Sequence, residues 1–281
     1  MKTARDWKDY YIAERQSLGR AGLERLLQRA PRANWPTHGA LIFPHTRLVD
    51  SGELIAAAAL AAVRSRRDTI VMLGVLHGAR AQDRERVQRA KSGDADCLRQ
   101  FRRVHGPGVA DDQQLWTDEF SLDSFTELVA VAADMEGIPS PRLIARYPFL
   151  VGENPADLPG LSELTSLIQS GAGLVATADP VHYGVEYGTD STLARTSPEA
   201  FAFATQSIET EFAHLARGDF KRFLEHCAAA RSDFRYSGPV LAHLLGCPRA
   251  LQITIRELRL VDYTDTQPSW VAGALTEVVC T

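Results

Sequence analysis

Two histidines in this sequence each close an apolar run: Leu41-Ile42-Phe43-Pro44-His45, and Leu73-Gly74-Val75-Leu76-His77. Neutral imidazole is a good ligand for borderline metal ions, and it exchanges protons near neutral pH. If the two runs are parallel strands joined by a helix, both histidines emerge at one carboxyl edge of a sheet, where open α/β folds place their ligands. A third apolar run, Gly173 to Ala178, leads into Asp179-Pro180-Val181-His182-Tyr183-Gly184 and brings a carboxylate and another histidine to the same rim. Imidazoles gathered at one edge point to a metal site.

The elements that must deliver these residues are legible in the patterning. Residues 1–38 read as a helical lead-in, with Leu18, Leu23, Leu26 and Leu27 near helical spacing. Pro44 cannot donate to a ladder, so the first strand ends before it. Leu54 to Val63 is an alanine-rich helix that Asp50 or Ser51 can cap. Asp68 to Gly74 is a β-branched run typical of a buried parallel strand. Residues 78–118 are rich in arginine and read as a charged insertion or a cationic lid, with His105 in a turn. Further strands are expected at Arg142–Arg146, Ile253–Val261 and Trp270–Val279, and helices after Ser197-Pro198, around Phe220–Ala230 and at Ser237. The expected architecture is a single α/β domain, 1–281, with a mostly parallel or mixed central sheet flanked by helices.

Composition narrows the classes of function. The 281 residues are 45% hydrophobic and 23% charged, with a formal charge of −4, which gives no general attraction to nucleic acid or anionic lipid. The longest apolar stretch is far short of the roughly 20 residues a membrane span needs. The amino terminus lacks the apolar segment of a secretory signal. Four cysteines without C-x-x-C spacing, Cys97, Cys227, Cys247 and Cys280, suggest mostly unpaired thiols in a reducing, cytoplasmic setting.

Several short motifs recur in an order that resembles a known family. Pro44-His45 with Ser51-Gly52, Leu73-Gly74 before His77, Glu119 with Ser121, Asp179 with His182-Tyr183-Gly184, and Ala272-Gly273-Ala274-Leu275 together resemble the Memo family. That family's fold is related to the class III extradiol dioxygenases. The resemblance runs from about residue 40 to the carboxyl terminus, and 78–118 fits it poorly. It implies that His45 and His77 are metal ligands and that His182 faces the same cavity. Departures accompany it: Arg235 stands where the family carries a thiolate ligand, Phe120 replaces one family histidine, and Gly78 replaces another.

Asp50 stands where the family has tyrosine, so His45, His77 and Asp50 form a candidate two-histidine, one-carboxylate set for Fe(II), with Zn or Cu as alternatives. Asp179, Glu186 and Asp233 are rival third ligands. His182 is assigned proton transfer, Asp179 its orientation, and Tyr183 a place in the cavity wall. Arg47 and Arg235 are candidates for binding a substrate carboxylate, with a structural ion pair as the equal alternative. The expected function is a non-heme Fe(II) oxygenase acting with O₂ on a small carboxylate-bearing substrate. A metal-dependent hydrolase and a non-catalytic binding protein are its rivals, and assembly as a homo-oligomer is compatible with each.

Overall fold

The computed structural model describes residues 4–77, 81–110, 112–246, 250–262 and 268–280. Gly78 and Cys247 lie outside them. A mixed sheet forms the centre of the domain. Its strands are β1 (Gly39–Phe43), β2 (Thr69–Leu73), β3 (Arg103–His105), β4 (Arg142–Phe149), β5 (Gly173–Thr177), β6 (Val181–Gly184), β7 (Leu251–Asp262) and β8 (Ser269–Cys280). The spatial order is β3-β4-β2-β5-β1-β8-β6, with β7 paired to β8. The four strands β4, β2, β5 and β1 are parallel, and the remaining strands join antiparallel.

β1 and β2 run parallel and are connected by α2 (Leu48–Arg64), as the apolar runs predict. They are not hydrogen-bonded neighbours, because β5 lies between them. This interposition serves the site, since the carboxyl ends of β1, β5 and β2 fall side by side at the middle of the sheet.

The first turn of α2 departs from expectation. Neither Asp50 nor Ser51 caps it. The carboxylate of Glu14, on α1 (Ala4–Arg29), instead accepts the backbone N–H groups of Leu48 and Val49 at 3.0 and 3.3 Å. The long lead-in helix thereby holds the start of α2, and it turns at Gly19, whose φ of 57° is open to glycine at little cost. α2 packs against α1 and α5 (Asp123–Glu136) on one face of the sheet. α6 (Leu161–Gln169) and α9 (Ser237–Leu244) cover the other.

The arginine-rich segment is ordered secondary structure over most of its described length. It forms α3 (Arg84–Lys91), α4 (Ala95–Phe101) and the edge strand β3. His105 is fully buried between Asp112 and the Phe101 carbonyl, a structural histidine. α7 (Pro198–Ala216) begins as its Ser-Pro start predicts, with Ser197 Oγ accepting the Ala200 N–H. α8 (Phe220–Ala230) follows, and a 3₁₀ turn at Asp233–Arg235 leads into α9. Cys97 and Cys227 are free and buried, whereas Cys280 is disulfide-bonded, an exception to the expected thiols.

Candidate metal centre

His45 leaves β1 two residues past its end, after Pro44, and His77 leaves β2 after a four-residue extension. Their Nε2 atoms meet 3.0 Å apart. The other nitrogen of each ring decides what that contact means. Thr177 Oγ1 donates to the Phe43 carbonyl at 2.9 Å, so at 3.0 Å from His45 Nδ1 it accepts the imidazole N–H. Glu119 Oε2 lies 2.9 Å from His77 Nδ1, and a carboxylate can only accept there. In its neutral form each ring is therefore held with the proton on Nδ1 and the lone pair on Nε2. Two lone pairs aimed at each other repel unless a cation lies between them.

A third donor completes the group. Asp233 Oδ2 is 3.3 Å from His45 Nε2 and is buried without a hydrogen-bond donor of normal geometry. Asp233 comes from the 3₁₀ turn after α8, which is fixed from two directions. Ser232 Oγ accepts the Phe234 N–H and donates to the buried carboxyl of Glu211 on α7 at 3.1 Å. Asp233 Oδ1 accepts the Asp179 N–H at 2.8 Å. Asp179 sits beyond the end of β5, with Oδ1 accepting the His45 N–H at 3.3 Å and Oδ2 3.5 Å from His45 Nε2.

The electrostatics follow from these contacts. Burial alone would lower the His45 pKa, but the charges of Asp179 and Asp233 outweigh it and raise it to about 9. In the absence of metal a proton thus takes the cation's place. Burial, reinforced by Asp233, lifts Asp179 to about 7. Burial acts on Asp233 in the same sense, yet the His45 charge prevails and holds its carboxyl below the usual range. No lysine or arginine is ion-paired to either aspartate among the described residues, so the cluster draws its positive charge from imidazole. Two imidazole lone pairs and an unpartnered carboxylate oxygen fit a borderline divalent ion.

The surroundings keep the ligands in place. Glu119 is buried, and besides orienting the His77 ring it accepts the His77 backbone N–H at 2.8 Å. Ser121 Oγ exchanges hydrogen bonds with both backbone groups of Val75. The Glu119-x-Ser121 pair therefore clamps the segment between β2 and His77. Phe120, between them, lies flat against the His77 ring with centroids 4.5 Å apart, and Tyr11 of α1 stacks on Phe120.

His182, on β6, is pushed down to about 4, chiefly by burial, and is neutral at physiological pH. Its Nδ1 is buried without a hydrogen-bond partner of normal geometry, although the Arg231 backbone lies close enough to favour the charged form. The Tyr187 ring stands edge-on to it at 4.8 Å.

The predicted residues divide clearly. His45, His77, Asp179 and His182 come together, and Asp233, weighed as a rival ligand, joins them. Asp50 is not with them: it lies in the first turn of α2, ion-paired to Arg47 at 2.7 Å, and the carboxylate oxygen nearest His45 Nε2 is Asp233 Oδ2. Arg47 is held by this pair and by the Asp262 carbonyl, and so takes the structural alternative. Tyr183 is buried against Trp270, and its hydroxyl accepts the Leu193 N–H, which makes it a packing residue. Arg235 lies over the Tyr236 ring and lines a separate cavity with Lys91, Leu98 and Leu150. Glu186 is exposed. Sequence reasoning assigned no role to Thr177 or Glu119; the signals were a threonine ending a strand and the Glu-x-Ser pair.

Fold and site together define an α/β protein with a candidate metal centre at the carboxyl ends of parallel strands. No family model matches the chain, and no curated protein matches it. The chain is similar to a solved structure described as the crystal structure of uncharacterized protein JW3007 from Escherichia coli K12. The two share 15% identity with a TM-score of 0.44, over 86% of this chain and 99% of that one.

Proposed function

We propose that this protein is a metal-dependent enzyme, a non-heme Fe(II) oxygenase acting on a small carboxylate-bearing substrate with O₂. The observation that carries the proposal is the convergence of His45 Nε2, His77 Nε2 and Asp233 Oδ2. Two histidines and one carboxylate are the donor set that leaves positions open on Fe(II) for substrate and oxygen. Bound there, the ion would supply redox chemistry and Lewis acidity.

The chain's own residues do the rest. Thr177 and Glu119 fix the tautomers that present both lone pairs. Phe120, backed by Tyr11, covers one face of the His77 ring with apolar surface. The free, buried thiols Cys97 and Cys227 support a cytoplasmic setting, with the disulfide at Cys280 the exception. Among the described residues no helix is long and apolar enough to cross a membrane.

The test is oxygen uptake by anaerobically purified, iron-loaded protein against catecholic and simple aromatic carboxylates. Uptake that depends on iron and is lost in His77→Ala is the expected result. Turnover of esters or amides with Zn(II) and without O₂ would replace this proposal with metal-assisted hydrolysis.

A further inference from the structure

Two groups of metal-competent side chains overlap in this cluster. One is His45, His77 and Asp233; the other is Asp179, His182 and Asp233. Within each, the donor atoms lie within 4.8 Å of one another. Asp233 belongs to both, and its Oδ2 is the oxygen left without a hydrogen-bond donor. His182 contributes a half-buried ring with a nitrogen within reach of both carboxylates.

Charge balance points the same way. The carboxylates of Glu119 and Asp179, which are buried, and of Asp233, which is half-buried, face the histidine cluster, and their ion pairs are with histidine alone. With neutral imidazoles and all three carboxylates ionised, as bound metal would hold them, one divalent ion leaves an excess of one negative charge in the site. A second converts this to an excess of one positive charge, the complement of an anionic oxygen ligand.

We propose that the centre is dinuclear: Asp233 is shared, the first ion is held with His45 and His77, and a second divalent ion is held by Asp179 and His182. This rests on reading His45, His77 and Asp233 as a metal site, and it makes His182 a ligand in place of the proton carrier expected from sequence. Mixed imidazole and carboxylate donors suit Mn(II), Fe(II), Co(II) or Zn(II). The substrate class that fits is a small molecule presenting an anionic oxygen group to both ions, as paired metals hold the oxygens of a reacting group.

The experiment uses the full chain loaded with Mn(II), freed of unbound metal, and read by elemental analysis and electron paramagnetic resonance, with the count repeated for Zn(II). The expected result is about two ions per wild-type chain with a spin-coupled manganese spectrum, the behaviour of a shared-carboxylate pair. His182→Gln and Asp179→Asn should each reduce the count to about one and give the uncoupled six-line spectrum of isolated Mn(II). Thermal melts of both variants check that they fold, and the wild-type count stands independently of them. A wild-type count of one for both metals overturns the second ion and leaves the first site standing. A count of zero overturns both. Two ions that persist in a folded His182→Gln variant place the second ion elsewhere and also overturn the proposal.

Discussion

The lone pairs of His45 and His77 face one another because Thr177 and Glu119 occupy the opposite ring nitrogens. If that tautomer control matters, Thr177→Val should weaken Zn(II) binding about 10–100-fold, the usual cost of losing an outer hydrogen bond to a ligating histidine. Competition with a chromogenic chelator measures it, and unchanged affinity would count against the tautomer assignment. Glu211 offers a separate test. Burial pushes its carboxyl well above its ordinary value of 4.5, and Asp233 adds to the shift while Ser232 offsets part of it. A raised folded-state pKa gives stability that is fully present below the unfolded value and lost as pH climbs toward the folded one. Glu211→Gln should therefore raise the melting temperature at pH 8 and leave it nearly unchanged at pH 4. Equal effects at both pH values would show that the carboxyl does not carry this burden. Asp50 was the candidate third ligand from sequence because it stands where the family that the chain resembles has a tyrosine, five residues beyond the first histidine. In the fold that spacing puts it in the first helical turn beside Arg47, and the ion pair consumes it.

At the scale of elements, much of the framework was legible. Apolar runs closed by His45 and His77, the alanine-rich helix between them, and the Ser197-Pro198 helix start all appear as structure. The placement of β5 between β1 and β2 was not legible, because strand order depends on pairing that no local pattern encodes. Asp233 was only one rival among several for the same reason. It sits in a short turn held by contacts from α7 and from the end of β5, far away in the chain. Phe120 reads as a missing histidine in sequence but becomes an apolar plate against His77. Close packing of β8 under His45 leads to a further prediction. A Cβ at Gly273 would meet Pro44 Cβ at 2.6 Å, next to the first ligand. Gly273→Ala should cost about 1–3 kcal/mol by overpacking and should also weaken metal binding by displacing Pro44-His45. Urea unfolding with and without Zn(II) separates the two effects; a variant as stable and as tight-binding as wild type would show that the strand yields freely.

For the whole molecule, the site joins segments that are distant in sequence: the ends of β1, β2 and β5, the loop bearing Glu119, and the turn after α8. An ion bound there is bound by the folded state, so it should stabilise the entire domain. At free metal one hundred times the dissociation constant the gain is about 2.7 kcal/mol. A rise of several degrees in melting temperature with Zn(II) or Mn(II), reversed by chelator, is the expected result, and a melt indifferent to metal would contradict it. The central claim is that His45, His77 and Asp233 hold a divalent ion, and it is tested most directly by the metal content of protein purified without oxygen. Wild type, Asp50→Ala and Asp233→Ala should be compared after loading with Fe(II). The account predicts stoichiometric iron in wild type and Asp50→Ala, and its loss in Asp233→Ala. Iron lost in Asp50→Ala but retained in Asp233→Ala, or absent from all three, would contradict it.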